Sequence, residues 1–563
     1  MATRRSLLRQ LFVVSVGVPL AAACGGSAPP VAGTSAPPTS VSAPPPTPTA
    51  PVRAASASGL PSYVPVQGPA PDLPPTADGV DPGYLNFPRT LFKSVAQTPG
   101  QGGEVNVFTW LITQPPTALD QNPAWQAVNT QLGVTMNVQM VPFADLNPKF
   151  STLMASGSLP DLFLVPLLNT VQHLPEFLKT QCADLTPYLS GDAVRDYPNL
   201  ANIPTLSWRN VIFNNAIYGV PIPISAVNTA LFIHQTRWDA VGASAPQNGD
   251  DFKKILLELT NAANGQWGVG SAGPPAANSR SFFQGIFGAP NNWSVDGSGK
   301  LTKDYETDQS RAAVGYLRDL VSAGVWFPDS GNLNLVSGQP GFVGGQYAAW
   351  YSGWPNYPTM WDQAQALNPP ARIHALAPFG AAGNHGVHYP GGAYYGFTAF
   401  KNATPDRVKE LLRMVDFLAA PFGSQESLLL EYGVQGTDFT FDANGTPVLT
   451  DQGKNDVLVP WNAIGERPPV LYKPNAPEFA QVAQMDEHAL LPLGVADPTL
   501  GLYSETNQQL GANIGATLSA ALSDIILSRR PLSDYDQLIQ DWRANGGDEI
   551  RTELQQAYAA AQH

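Results

Sequence analysis

Few residues that could do covalent chemistry stand at a spacing that would let them. His385 and His388 lie in His-Gly-Val-His, but no glutamate or third ligand is nearby to complete a zinc site. In Gly268-Val269-Gly270-Ser271-Ala272-Gly273, Val269 occupies the first glycine position of a nucleophile elbow. Gly299-Lys300 is followed by Leu301, not by the hydroxyl residue of a phosphate loop. A glycosidase carboxylate pair need not be close along the chain, so a surface polysaccharide-degrading enzyme is the alternative reading. What recurs instead is aromatic rings interleaved with amides and hydroxyls. They occur in Trp350-Tyr351-Ser352-Gly353-Trp354-Pro355-Asn356-Tyr357 and in Tyr389-Pro390-Gly391-Gly392-Ala393-Tyr394-Tyr395. Flat apolar faces beside a few placed polar groups suit a sugar-like ligand. For each aromatic the competing role is core packing. Of the neighbours Tyr394 and Tyr395, only one can face a given side of a strand.

The elements that would position these residues start well inside the chain. MATRRSLLRQLFVVSVGVPLAAACGG has a positive n-region at Arg4, Arg5 and Arg9 and an apolar stretch from Leu11 to Ala23, too short to span a membrane. Thr3 to Arg9 resembles a twin-arginine export signal, and Ala21-Ala22-Ala23-Cys24 a lipobox, which makes residues 1–23 a signal peptide and Cys24 a lipidated first residue. Cys182 is then the other of two cysteines, and no disulfide is possible. The Pro/Ser/Thr/Ala-rich stretch that follows has no apolar face to bury and reads as a tether over 24–90. The formal net charge of −14, which loss of the three leader arginines makes more acidic, argues against a nucleic-acid partner.

Gly103 to Trp110 reads as a strand, Ala124 to Leu132 as a helix, and Val134 to Val141 as an alternating strand. Lys149 to Ser156 reads as a helix and Leu162 to Val165 as a buried strand. The order β-α-β-α-β predicts an α/β fold with a parallel sheet, whose ligands sit beyond the C-terminal strand ends. Trp110, Gln114 and Asn169 follow such ends. Gly157 and Pro160 stop the helix before Leu162, and Asp161 is expected to brace that turn.

Ala155-Ser156-Gly157-Ser158-Leu159-Pro160-Asp161 and the apolar run after it resemble a signature of family 1 extracellular solute-binding proteins of ABC importers. Further stretches match the family in order: Asp184-Leu185-Thr186-Pro187-Tyr188, Tyr218-Gly219-Val220-Pro221, Leu231 to Trp238, Phe342 to Trp350, and Tyr432 to Phe439. The last resembles the long members, which include lipoprotein and alginate-oligosaccharide binders. Coverage is roughly residues 103 to 550. Two departures matter: Asn261 to Gly268 lacks the carboxylates of the calcium loop found there in long members, and Lys300 spoils Asp296 to Lys300 as a second such loop. No metal or cofactor is expected.

The resemblance implies a two-lobed periplasmic-binding-protein-like fold of type II. Its lobes are discontinuous, its hinge is crossed more than once, and its cleft is central. Lobe I would take 103–225 and about 378–445, and lobe II 228–375 and about 446–563, with the second crossing near Ala375 to Gly380. The resemblance also implies a lipid-anchored, exported, monomeric binder of a small solute, a mono- or oligosaccharide, that closes over it and docks on a membrane permease. A non-transporting sensor on the same fold is a further alternative. In sugar-binding relatives the aromatic at the place of Trp354 stacks on the ligand. The ligand-binding candidates are Trp110, Gln114, Asn169, Ser225, Asn228, Trp350, Trp354, Tyr394 and Tyr395.

Overall fold

The computed structural model describes residues 59–111, 114–166, 171–213, 215–274, 279–367 and 372–561. Cys24 and Asn169 lie outside the described residues. Two sheets carry the architecture. Their strands are β1 (Glu104–Leu111), β2 (Thr135–Pro142), β3 (Leu162–Val165), β4 (Gly219–Pro223), β5 (Thr229–His234), β6 (Trp267–Gly270), β7 (Tyr347–Gly353), β8 (Ile373–Ala375) and β9 (Tyr394–Phe400). The first sheet has the order β2-β1-β3-β9-β4 and the second β8-β5-β7-β6. β1, β2 and β3 run parallel, and β9 runs against both β3 and β4.

Local chemistry explains the first sheet. Helix α1 (Pro123–Leu132) starts at Asn122, whose side chain accepts from Trp125 N, and ends at left-handed Gly133. Helix α2 (Leu146–Ser156) ends at Gly157 with φ 66°, which a side chain would strain. Asp161 braces the turn into β3. Its carboxylate accepts from Asn106 N at 2.9 Å and from Arg407 at 3.1 Å. Asp184 likewise caps Thr186 N at 2.8 Å, and the Thr186 hydroxyl accepts from Ile217 N at 2.9 Å. Two of the sequence motifs therefore brace each other.

One apolar core surrounds the first sheet, from Val105 to Ile222 and Phe397 to Ala419. A second surrounds the other sheet and takes in Leu376, Phe379 and the C-terminal helices, and a third joins β5, β7 and β8 to the helix Pro477–Leu490. Val459, Trp461 and Ile464 belong to the first core, where Trp461 meets Trp125 edge-on at 6.1 Å. The chain thus stays with the first sheet well past residue 446.

The crossings between sheets are tied to one another. Ile224 N donates to Ala393 O at 3.2 Å, and Gly391 N to Ala226 O at 3.0 Å. His388 is buried there, with Nε2 3.1 Å from Val227 O, and burial pushes its pKa down to about 4. It serves the hinge as a neutral ring.

Composition alone places the tether through residue 90, but the described part from Gly59 onward is laid on the body. Ser62 N reaches Gly191 O at 2.9 Å and Val64 N reaches Ala201 O at 2.8 Å, both beside the first sheet. Gly83 and Tyr84 then pair in parallel with Leu471 and Tyr472, and Ser94 N donates to Glu426 at 3.0 Å. The prolines hid this, because the anchoring is done by the few apolar residues between them: Val80, Tyr84 and Phe87 are buried.

Candidate functional site: an aromatic cavity beside the first sheet

The parallel strands of the first sheet end at Leu111, Pro142 and Val165, and the antiparallel β9 begins there. Trp110 packs edge-on against Tyr395 at 4.5 Å and Phe143 at 5.2 Å. Phe143 is 51 % exposed, so this cluster presents a ring to solvent at the strand ends. Gln114 is exposed nearby and donates to Asn455 at 2.8 Å.

Tyr394 turns elsewhere. The pairing of β9 with β4 shifts register between Tyr394 and Phe397, and Ala393 has φ 52°. Tyr394 lines a cavity of about 230 Å³ together with Trp293, Tyr305 and Trp542 from the second core's neighbourhood. Asn292, Lys303, Asp497 and Thr499 supply its polar wall. The adjacent tyrosines thus serve two neighbouring places: Tyr395 the strand-end cluster and Tyr394 the cavity.

The other candidates are used structurally. Ser225 Oγ donates to Glu487 at 2.9 Å inside the hinge. Asn228, at φ 61°, accepts from Trp354 N at 2.7 Å, and its side chain fills the space where Gly391 lacks a Cβ. Asn210 fills the same space at Gly392, so these glycines admit side chains of the chain itself. Trp350 and Trp354 are buried in the apolar core. Trp350 is fully buried, stacks on Tyr347 at 5.9 Å, and presses on Gly338. Trp354 is folded back over Phe232 and Tyr357 at 6.0 and 5.1 Å, because its backbone N–H is held by Asn228.

Sequence reasoning passed over Trp293, Tyr305, Trp542, Lys303 and Asp497. They come from a hairpin (Trp293–Val295 with Leu301–Lys303), a loop and a C-terminal helix, with no motif among them. The one available signal was Asn291-Asn292-Trp293, a tryptophan after a turn-forming pair.

Among the described residues, no three His, Cys, Asp or Glu side chains converge as metal ligands. Asp296 instead braces a turn, accepting from Ser298 N at 2.8 Å and Lys300 N at 3.1 Å.

Residues 124–421 match the family described as bacterial extracellular solute-binding protein. Among curated proteins the chain is similar to Lipoprotein LipO of Bacillus subtilis (strain 168), 22 % identical with 80 % of this chain and 91 % of that protein covered. It is also similar to the polygalacturonan/rhamnogalacturonan-binding protein YtcQ of the same strain, 20 % identical with 80 % and 89 % covered. Among solved structures, an extracellular solute-binding protein from Bifidobacterium longum subsp. infantis superposes with TM-score 0.62 at 12 % identity, covering 82 % of this chain and 99 % of that one. FusA, an S. pneumoniae ABC-transporter substrate-binding protein solved with kestose, gives TM-score 0.58 at 15 % identity, with 82 % and 99 % covered. These structures carry the same two-lobed fold. With the family match running through both sheets and their crossings, the chain belongs to the bacterial extracellular solute-binding proteins.

Proposed function

We propose that this chain is the lipid-anchored capture component of an ABC importer, binding a small carbohydrate between its lobes as a monomer and presenting it to a membrane permease. The reading divides the chain into lobe I around the first sheet and lobe II around the second, with Cys24 as the lipid-bearing residue. The observation that carries it is the aromatic-walled cavity in which Tyr394 of the first sheet faces Trp293, Tyr305 and Trp542. Such a wall stacks on the C–H faces of a sugar, and the asparagine, threonine and carboxyl groups beside it bond hydroxyls. A ligand touching both sides favours the closed arrangement, since only that arrangement makes all the contacts. The ligands for which YtcQ is named and with which FusA was solved, polygalacturonan/rhamnogalacturonan and kestose, support a carbohydrate as the class.

The test is a thermal-shift screen of the full chain against sugars, oligosaccharides, peptides and polyols, with the compounds checked by mass spectrometry afterwards. A saccharide that raises the melting temperature and is recovered intact is the expected outcome. A cleaved saccharide would replace the reading with a hydrolase, and a shift with peptides alone would replace the solute class.

A further inference from the structure

Resting on the proposed function, we infer that the ligand of this cavity is a neutral, hydroxyl-rich saccharide and that acidic sugars are rejected, because the one cation lining the cavity among the described residues is saturated while its carboxylate retains a free acceptor position. The count of donors and acceptors decides this. The Lys303 ammonium has three N–H donors. They go to Asn292 O at 3.0 Å, Asn292 Oδ1 at 2.7 Å, and the neighbouring carboxylate of Asp304. The same ammonium lies over the rings of Tyr305 at 4.2 Å and Trp293 at 5.6 Å. All three donors are thus engaged, and turning the one that Asp304 accepts toward a ligand would take a partner from that buried carboxylate.

Asp497 is the converse. Its carboxylate accepts from Thr499 N at 2.8 Å, Thr499 Oγ1 at 2.7 Å and Asn292 Nδ2 at 2.7 Å. A carboxylate has about four acceptor positions, so one remains. That position suits a hydroxyl donor and repels a second carboxylate. Three arginines lie close by. Arg280 faces Asp304 at 3.7 Å, Arg551 pairs with Glu306 at 2.7 Å, and Arg543 also pairs with Glu306, and none of the three lines the cavity. Lys303 therefore supports the wall, and Asp497 is the specificity-determining group. This sets the chain apart from its relative named for pectic acids.

The experiment is calorimetric titration of the full chain at pH 7.5 with matched pairs: galactobiose against digalacturonate, and cellobiose against its diuronate. The neutral member is expected to bind at least tenfold more tightly, with a Kd that hardly changes as salt is raised. In Asp497→Asn the gap should narrow to about threefold or less. A uronate that binds as well as its neutral partner, or whose binding weakens steeply with salt, overturns the inference while leaving a carbohydrate-binding protein in place. So does a neutral preference that is unchanged in Asp497→Asn. The salt series on the unsubstituted chain decides the matter even where that variant does not fold. If neither member of either pair binds and the thermal-shift screen finds no saccharide ligand, the carbohydrate reading of the cavity fails, and the inference with it; a saccharide found by that screen replaces these pairs, against its own uronate, with the same two outcomes.

Discussion

At the scale of single residues, the aromatics divide by what their faces touch, and that division predicts opposite phenotypes. Trp350 is a fully buried core ring against Tyr347 and Gly338. Trp350→Ala should cost roughly 3–5 kcal/mol of stability, as large-to-small core changes do. Chemical denaturation checks that cost. The surviving folded protein should keep its ligand affinity. Tyr394 lines the cavity from the other side, and Tyr394→Phe removes one hydroxyl from a wall that is otherwise kept. Its unfolding free energy should move by less than about 1 kcal/mol, while ligand affinity falls by about three- to thirtyfold, the worth of one hydrogen bond to a sugar. Titration calorimetry separates the two variants. The same division shows what was legible in the sequence. Asp161 could be read as a turn brace, because a helix stop, a proline and an apolar run fix its surroundings locally. Trp350 and Trp354 could not be told from ligand-stacking rings, because the face each ring turns depends on Gly338 and on the Asn228 carbonyl, both distant in sequence. The cavity itself was invisible for the same reason: its walls come from residues near 300, 394, 500 and 542.

At the scale of elements, the first sheet was legible because its helix stops, caps and alternation are local, and α1, α2 and β1 to β3 fall where the pattern puts them. The segment from Gly59 to Val95 was not, since proline content hides the few residues that dock it. Its docking creates a buried acid pair with a measurable consequence. Asp81 N donates to Glu487 at 2.7 Å, Ser225 of the first crossing donates to the same carboxyl at 2.9 Å, and Asp81 Oδ2 is buried without a partner. Burial pushes the Asp81 carboxyl up to about 7, and burial together with Asp81 holds Glu487 well above its usual range. Asp416 and Glu466 are also pushed up to about 7, chiefly by burial. Each raised carboxyl binds its proton more tightly when folded than when unfolded. Stability from these groups is therefore fully present below the unfolded value near 4, and is lost as pH rises through about 7. The melting temperature should fall steadily from pH 5 to pH 8. Asp81→Asn should flatten part of that slope and leave the part belonging to Asp416 and Glu466. A scan across that range, with and without the substitution, measures it, and a melting temperature that rises with pH would contradict the assignment of these carboxyls.

At the scale of the whole described body, the N-terminal segment matters because it touches both sheets' surroundings. It bonds Gly191 and Ala201 beside the first sheet, then Leu471 and Glu487 in the core that holds β5, β7 and β8, and then returns to Glu426. A segment fixed at three such places resists relative motion of the lobes. Lobe closure over a ligand would therefore have to bend or slide this strap as well as the crossings at Ile224, at Gly391 and between Ile464 and Leu471. Cutting it between the Gly191 and Leu471 anchors releases one of its two spans without touching either sheet, and leaves the span from Glu487 on to Glu426. Gln67 and Gly68 are exposed, so a protease site inserted between them can be cleaved in the folded protein. After cleavage, both cores should stay folded by circular dichroism, because most of their buried residues lie after position 100. The melting temperature should drop by several degrees, since the fragment's contacts become a binding equilibrium in place of a covalent constraint. The contraction seen by small-angle X-ray scattering on adding saturating saccharide should be larger in the cut protein than in the intact one, because the ligand then works against one span of the strap fewer. Equal contraction in both would mean that the strap follows one lobe as a rigid passenger, and the bond from Asp81 to Glu487 would then be a contact within a single moving body.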